Sequence, residues 1–247
     1  MKLSVAITTL LNFCSILSFS QTNSLGIFDQ QKDIGYIKHA GSTTYDEATQ
    51  TYTIKGSGAN IWFNEDQFHY TYKKLAGDFI LTADFAFVGD TAGSIGHRKI
   101  GWMVRESADA DAASINATSH IDGLVVLQWR EMKGAFMRDP KDEIFFPKKG
   151  LQTIQLERKG KTLIMRMANP GEPLQLVGKH TMDDMRDSVL AGLFICSHDS
   201  NALAEAKVWN VRIDEPVDNQ YQPNPQLVKP PSREVLGSRL EVMNVFD

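Results

Sequence analysis

Five polar side chains able to hold a ligand recur through the middle of the chain: Arg105, His120, Gln128, Arg130 and His198. Guanidinium, imidazole and amide groups offer donors and acceptors in fixed directions. A sugar site needs such groups and an aromatic face for the ring. Trp129 and Trp62 could supply that face. Tryptophan is usually buried, so Trp62, Trp102 and Trp209 read first as core residues. A histidine near a strand end reads first as a turn residue rather than a ligand contact.

Acid–base chemistry would need carboxyl groups across a cleft. Glu106 and Glu131 are the candidates, each at the end of a strand-like segment. Solvated strand-end charge explains both more simply, and no catalytic residue is assigned. Asp109, Asp111 and Asp122 are oxygen donors in loop-like sequence. Their spacing lacks the glycine and terminal glutamate of a calcium-binding EF-hand loop, so they read as surface charge and no metal ligand is assigned. His97, Arg98 and Lys99 form a small basic group that reads as solvated. Cys196, in the apolar run Leu193–Phe194–Ile195, reads as a buried small hydrophobe and not as a nucleophile.

These residues must be positioned by strands. Short β-rich segments follow one another at sandwich-like spacing, with Gly, Asp or Asn between them. They are Thr51–Ile54, Asn60–Phe63, Phe68–Tyr72, Asp78–Phe87, Lys99–Arg105, Gly123–Arg130, Gln152–Arg158, Thr162–Met167, Val189–Cys196 and Ala206–Ile213. Arg158–Lys161 reads as a tight hairpin turn. No stretch keeps a helical period over several turns; Asp109–Ala113 and Thr181–Ser188 are the most helix-like pieces. Strand alternation puts Ile100, Trp102 and Val104 on one face, the core side, and Arg105 on the other. From His120 to Arg130 polar ends flank an apolar middle, and the facing is ambiguous. Phe194, Cys196 and His198 share one side.

The chain has 247 residues, 42% hydrophobic and 23% charged, with a net charge of −4. That composition excludes collagen, coiled coil and long disorder as the main theme, and gives no electrostatic case for nucleic acid as a partner. Residues 1–20 read as a signal peptide: Lys2, an uncharged apolar run, then Ser18–Phe19–Ser20 before a cut ahead of Gln21. Ser and Thr dilute the run too much for a membrane anchor, and Cys14 lacks a lipobox. No membrane span is expected after cleavage, and a periplasmic or secreted location follows. Cleavage leaves Cys196 as the lone cysteine, so no intrachain disulfide can form and stability must rest on a large core. Residues 21–214 read as one domain. Residues 215–247 read as a Pro-rich tail or linker with a short strand-like end at Arg239–Phe246.

Gly56–Trp62, Asp66–Tyr70 and Gly77–Ala83 resemble the opening of bacterial concanavalin A-like lectin/glucanase domains. Gly101–Glu106 resembles the strand that follows, and Gly192–His198 a late one. The likeness covers about residues 25–214. The ending Gly237–Asp247 is similar to the lead-in of a TolB-like propeller, which follows such a sandwich in larger Bacteroidetes-type proteins. The resemblance implies an all-β, antiparallel two-sheet jelly-roll sandwich, in a superfamily that often binds or cleaves carbohydrate, with a structural Ca²⁺ possible on its loops. The Glu-x-Asp-x-x-Glu pattern of many glucanases of this fold is missing. A similar sandwich in bacterial keto-glycoside hydrolases would make Glu106 or His120 an acid or base. The expected function is an exported, non-catalytic carbohydrate-binding module, with Arg105 looking into a concave face and Arg130, His120, Gln128, Trp129 and His198 around it. A glycoside hydrolase using Glu106 or Glu131 is the first alternative. A protein-interaction domain tethered by the tail is the second.

Overall fold

A computed structural model describes residues 25–89, 96–150 and 152–216. The expected signal peptide and nearly all of the expected tail lie outside the described residues. Two seven-stranded antiparallel sheets face each other, and no helix occurs among the described residues. This is a concanavalin-like jelly-roll sandwich. No helix among the described residues is long and apolar enough to cross a membrane.

The front sheet runs, in spatial order, β1 (Gln30–Ile34), β6 (Phe68–Leu75), β15 (Val189–Cys196), β8 (Lys99–Arg105), β9 (Ser114–His120), β10 (Val125–Arg130) and β11 (Glu143–Phe146). The back sheet runs β14 (Gln175–Thr181), β13 (Thr162–Ala168), β12 (Thr153–Lys159), β7 (Phe79–Phe87), β16 (Asp199–Asp214), β3 (Thr51–Gly58) and β2 (Ser42–Asp46). A small hairpin, β4 (Ile61–Trp62) with β5 (Glu65–Asp66), stands apart from both. The turn expected at Arg158–Lys161 closes β12 onto β13, with Lys159 opposite Thr162. Asp109–Ala113 and Thr181–Ser188 form no helix.

The main core lies between the sheets. Ile100, Trp102 and Val104 of β8 pack there, with Val125, Leu127 and Trp129 of β10 and Leu156 and Met165 of the back sheet. Alternation then sends Lys99, Gly101, Met103 and Arg105 to the outer face of the front sheet, and Val126, Gln128 and Arg130 with them. That outer face is covered as well. Ile34, Phe68, Tyr70, Met103 and Phe194 form a second apolar cluster with Ile61 of the hairpin. The cover explains why every residue of β8 is buried, including Lys99 and Arg105.

Gly58 sets the approach of the hairpin. Its φ is +136°, and a Cβ there would lie 2.0 Å from the Gln67 carbonyl oxygen. Only glycine fits this close passage.

Candidate functional site: a cleft on the outer face of the front sheet

The buried end of the outer face is a charge cluster. Arg130 grips Asp66 with two bonds, Nη1 to Oδ2 at 2.7 Å and Nη2 to Oδ1 at 2.6 Å. Arg105 Nη1 donates to the same Asp66 Oδ2 at 3.3 Å. Arg105 and Asp66 are 0% exposed and Arg130 is 1% exposed. Backbone carbonyls take the remaining donors: Ser107 and Asp109 for Arg105, Ala112 and Ala135 for Arg130. The Arg105 guanidinium also lies over the Phe68 ring, 5.1 Å from its centroid. Arg105 therefore does not look into an open hollow. It points to the outer face, but Asp66 and the hairpin already occupy the space. Arg130 is committed in the same way, so neither guanidinium reaches a ligand.

Trp129 also differs from the expectation. Strand alternation turns it into the core, where its ring stacks on His180 at 3.9 Å and 11°. It offers no platform. The two glutamate candidates lie outside the cleft. Glu106 accepts the Arg186 backbone N–H at 2.8 Å, and Glu131 pairs with His180 Nε2 at 2.7 Å. They do not face each other across it.

The other end of the outer face opens into a cleft of about 380 Å³. His120, Gln128 and His198 line it together. His120 closes β9, and the chain then reverses through Ile121–Leu124. The reversal is held by Gly123 N–H to the His120 carbonyl at 2.9 Å and by Asp122 Oδ1 accepting from Leu124 N at 3.0 Å. His120 and Gln128 therefore sit on adjacent strands, not on one. Lys99, read from the sequence as solvated with His97 and Arg98, is instead buried and lines the cleft with His97, and sequence reasoning missed Asp139, Glu143 and Asn60, which line it with Trp62. Lys99 Nζ donates to Asn60 Oδ1 at 2.8 Å and to the Ile61 carbonyl at 3.1 Å, which ties the cleft wall to the hairpin. Trp62 is partly exposed there, so of the two proposed platforms it is the one that borders the cleft.

The cleft is short of hydrogen bonds. Five buried side-chain atoms lack a partner among the described residues: Ser114 Oγ, Asn116 Nδ2, both ring nitrogens of His120, and Gln128 Oε1. All sit on the outer faces of β9 and β10. Three belong to cleft residues. Buried polar groups are nearly always paired with protein, water or ligand, and leaving one unpaired costs about 1–3 kcal/mol. Gln128 Nε2 donates to Glu143 Oε2 at 3.2 Å, which turns its bare carbonyl oxygen to the other side.

Electrostatics keep His120 neutral. Burial first, then Lys99, His97 and His198, push its pKa down to about 2. A neutral imidazole has one donor and one acceptor nitrogen. Burial also lowers His198 and Lys99. Burial raises the Glu143 carboxyl, with Asp139 alongside adding to the rise. No group of three or more His, Cys, Asp or Glu residues among the described residues is arranged to hold a metal ion.

A larger hollow of about 610 Å³ lies on the back sheet around Asp84. Its chemistry is already satisfied. Asp84 accepts from Thr153 Oγ1 at 2.5 Å and from Asn210 Nδ2 at 2.7 Å. None of the unpaired buried atoms lies there.

No protein-family model matches the chain, and no curated protein matches its sequence. Solved structures do match its shape. A functionally unknown protein from Saccharomyces cerevisiae is 12% identical with a TM-score of 0.56, covering 76% of this chain and 98% of its own. The GH43 protein BlXynB from Bacillus licheniformis is 11% identical with a TM-score of 0.51, over 78% of this chain and 38% of its own. An endo-beta-1,4-glucuronan lyase from the fungus Trichoderma reesei is 8% identical with a TM-score of 0.47, covering 78% and 92%. The first two likenesses show a shared sandwich fold and, at these identities, the fold alone.

Proposed function

We propose that the chain is an exported module that binds carbohydrate in the front-sheet cleft. The observation that carries this reading is the set of unpaired atoms on His120 and Gln128. A neutral imidazole and a bare amide oxygen together ask for a ligand that both donates and accepts. Sugar hydroxyls do both, and neighbouring hydroxyls on one ring match groups on adjacent strands. Trp62 at the rim suits the C–H face of a sugar ring. The fold is one that glycan-active proteins share. Export, a TolB-like context and a protein partner held through the tail belong to this proposal as its wider setting. A glycan array with wild type and His120→Ala tests it. Binding to a defined glycan, weakened at least tenfold in the variant, supports the cleft. Equal binding by both places the ligand elsewhere.

One observation favours a second reading, glycoside cleavage. Two carboxyls, Asp139 and Glu143, share the cleft wall, and Glu143 is raised toward its protonated form. A protonated carboxyl beside a bound sugar can serve as a general acid. Turnover of a bound glycan that is lost in Glu143→Gln, with affinity kept, would establish cleavage. Binding without turnover keeps the module non-catalytic.

A further inference from the structure

The hairpin that buries Asp66 also displays an aromatic residue outward. Phe63 is 51% exposed and Phe136 is 56% exposed, and their rings pack at 5.4 Å and 49°. Phe63 has a φ of +54°. Bulky aromatic residues adopt this left-handed region only where their surroundings impose it, and such strain gathers at functional sites. The constraint here comes from below. The Phe63 carbonyl accepts Met137 N–H at 2.9 Å and Arg130 Nη2 at 3.4 Å. Arg130 is the residue that clamps Asp66 at the other end of the hairpin. One buried guanidinium thus fixes both the hairpin and the bearing of its exposed ring.

Phe63 lines a groove of about 400 Å³ with Asn64, Glu65 and Gln67. Asn60 and His198 line both this groove and the cleft. The two hollows therefore adjoin at these two residues. Each lies near the lower end of the volume range of ligand pockets, about 300–1,000 Å³. A chain molecule bound in the cleft would leave it past Asn60 and His198 and run beside Phe63.

We propose that the groove at Phe63 is a second sugar subsite, which takes the next units of a glycan chain held in the cleft. It rests on the carbohydrate reading of the cleft. Phe63, braced by Phe136, supplies the stacking face, and Asn64 and Glu65 supply hydrogen-bonding groups for the ring edge. The preferred ligand is then an oligosaccharide rather than a single sugar. Adjacency to the cleft argues for this occupant over a second copy of the chain, since two rings flanked by polar groups make a small apolar surface.

The test is calorimetric titration of gluco-, xylo-, manno- and uronic-acid oligosaccharides of one to six units into the full chain and into Phe63→Ala/Phe136→Ala. Both rings are exposed, so the variant should keep its fold, which circular dichroism checks. In the series that binds, wild type is expected to gain about tenfold in affinity over the units that pass the cleft. The double variant is expected to hold the shortest binder as well as wild type does and to lose that gain. No gain with length in wild type, or the same gain in the variant, overturns the subsite and leaves the cleft reading standing. No binding of any series by either chain removes both. Self-association of wild type that the variant loses, with glycan affinity unchanged, assigns the rings to a second copy instead.

Discussion

On the proposed reading, His120 couples ligand binding to stability. Its ring is buried and neutral, with a folded pKa near 2 against an unfolded value of about 6.5. Between those values the unfolded chain binds the extra proton, so stability is fully present above pH 6.5 and falls as pH drops. From pH 7 to pH 5 this group alone should cost about 2 kcal/mol. His198 is shifted in the same direction and adds to the slope. Urea unfolding at both pH values should show the loss in wild type and a smaller one in His120→Gln. Gln128→Ala should weaken glycan binding about tenfold, the worth of one hydrogen bond, with little change in fold. The residue types at this site were legible in the sequence. His120, Gln128 and His198 do meet in one cleft. What was not legible was the fate of Arg105 and Arg130, because their carboxylate lies 39 and 64 residues earlier in the chain. Nothing local distinguishes an arginine that waits for a ligand from one already paired.

At the scale of elements, the β4–β5 hairpin decides what the front sheet can offer. It brings Asp66 to two buried guanidiniums, Ile61 to the second apolar cluster and Trp62 to the cleft rim. Asp66→Ala would strand both arginines without their counter-charge and should cost about 3–5 kcal/mol by chemical denaturation. Hydrogen exchange should speed up first across Ile61–Asp66. Gly58→Ala should act on the same element through backbone strain, with the hairpin displaced and glycan affinity lowered even where the sandwich stays folded. The pattern of alternation made β8 readable and set Ile100, Trp102 and Val104 correctly against the core. It failed at β9. Ser114, Asn116, Thr118 and His120 give that strand one wholly polar face, and its other side holds just two apolar residues, Ile115 and Ala117, with Ser119. A strand with one wholly polar face carries a weak apolar signal for that reason. Of the hairpin, Asn60–Phe63 was read as a strand and covers β4, but β5 was hidden, since a two-residue strand leaves almost no period to read.

For the whole molecule, the main core is the dominant reserve of stability. Trp102 sits at its centre and donates its indole N–H to the Ile154 carbonyl of the opposite sheet at 3.2 Å. Trp102→Ala should cost about 3–5 kcal/mol. A lower thermal midpoint with an intact single transition would show that the two sheets unfold together. The fold class was open to sequence reasoning because turn signals and β-rich runs repeat along the chain. The second covering layer was not, since it depends on which distant segments fold back over one sheet.

The alternation of β8, β9 and β10 has an evolutionary corollary. Inward side chains answer to the architecture, and so do outward Met103, Arg105 and Arg130, whereas outward His120 and Gln128 line the cleft. Mutation can therefore rewrite recognition at those few cleft positions while the scaffold persists, so relatives with the same topology are free to diverge in what they hold.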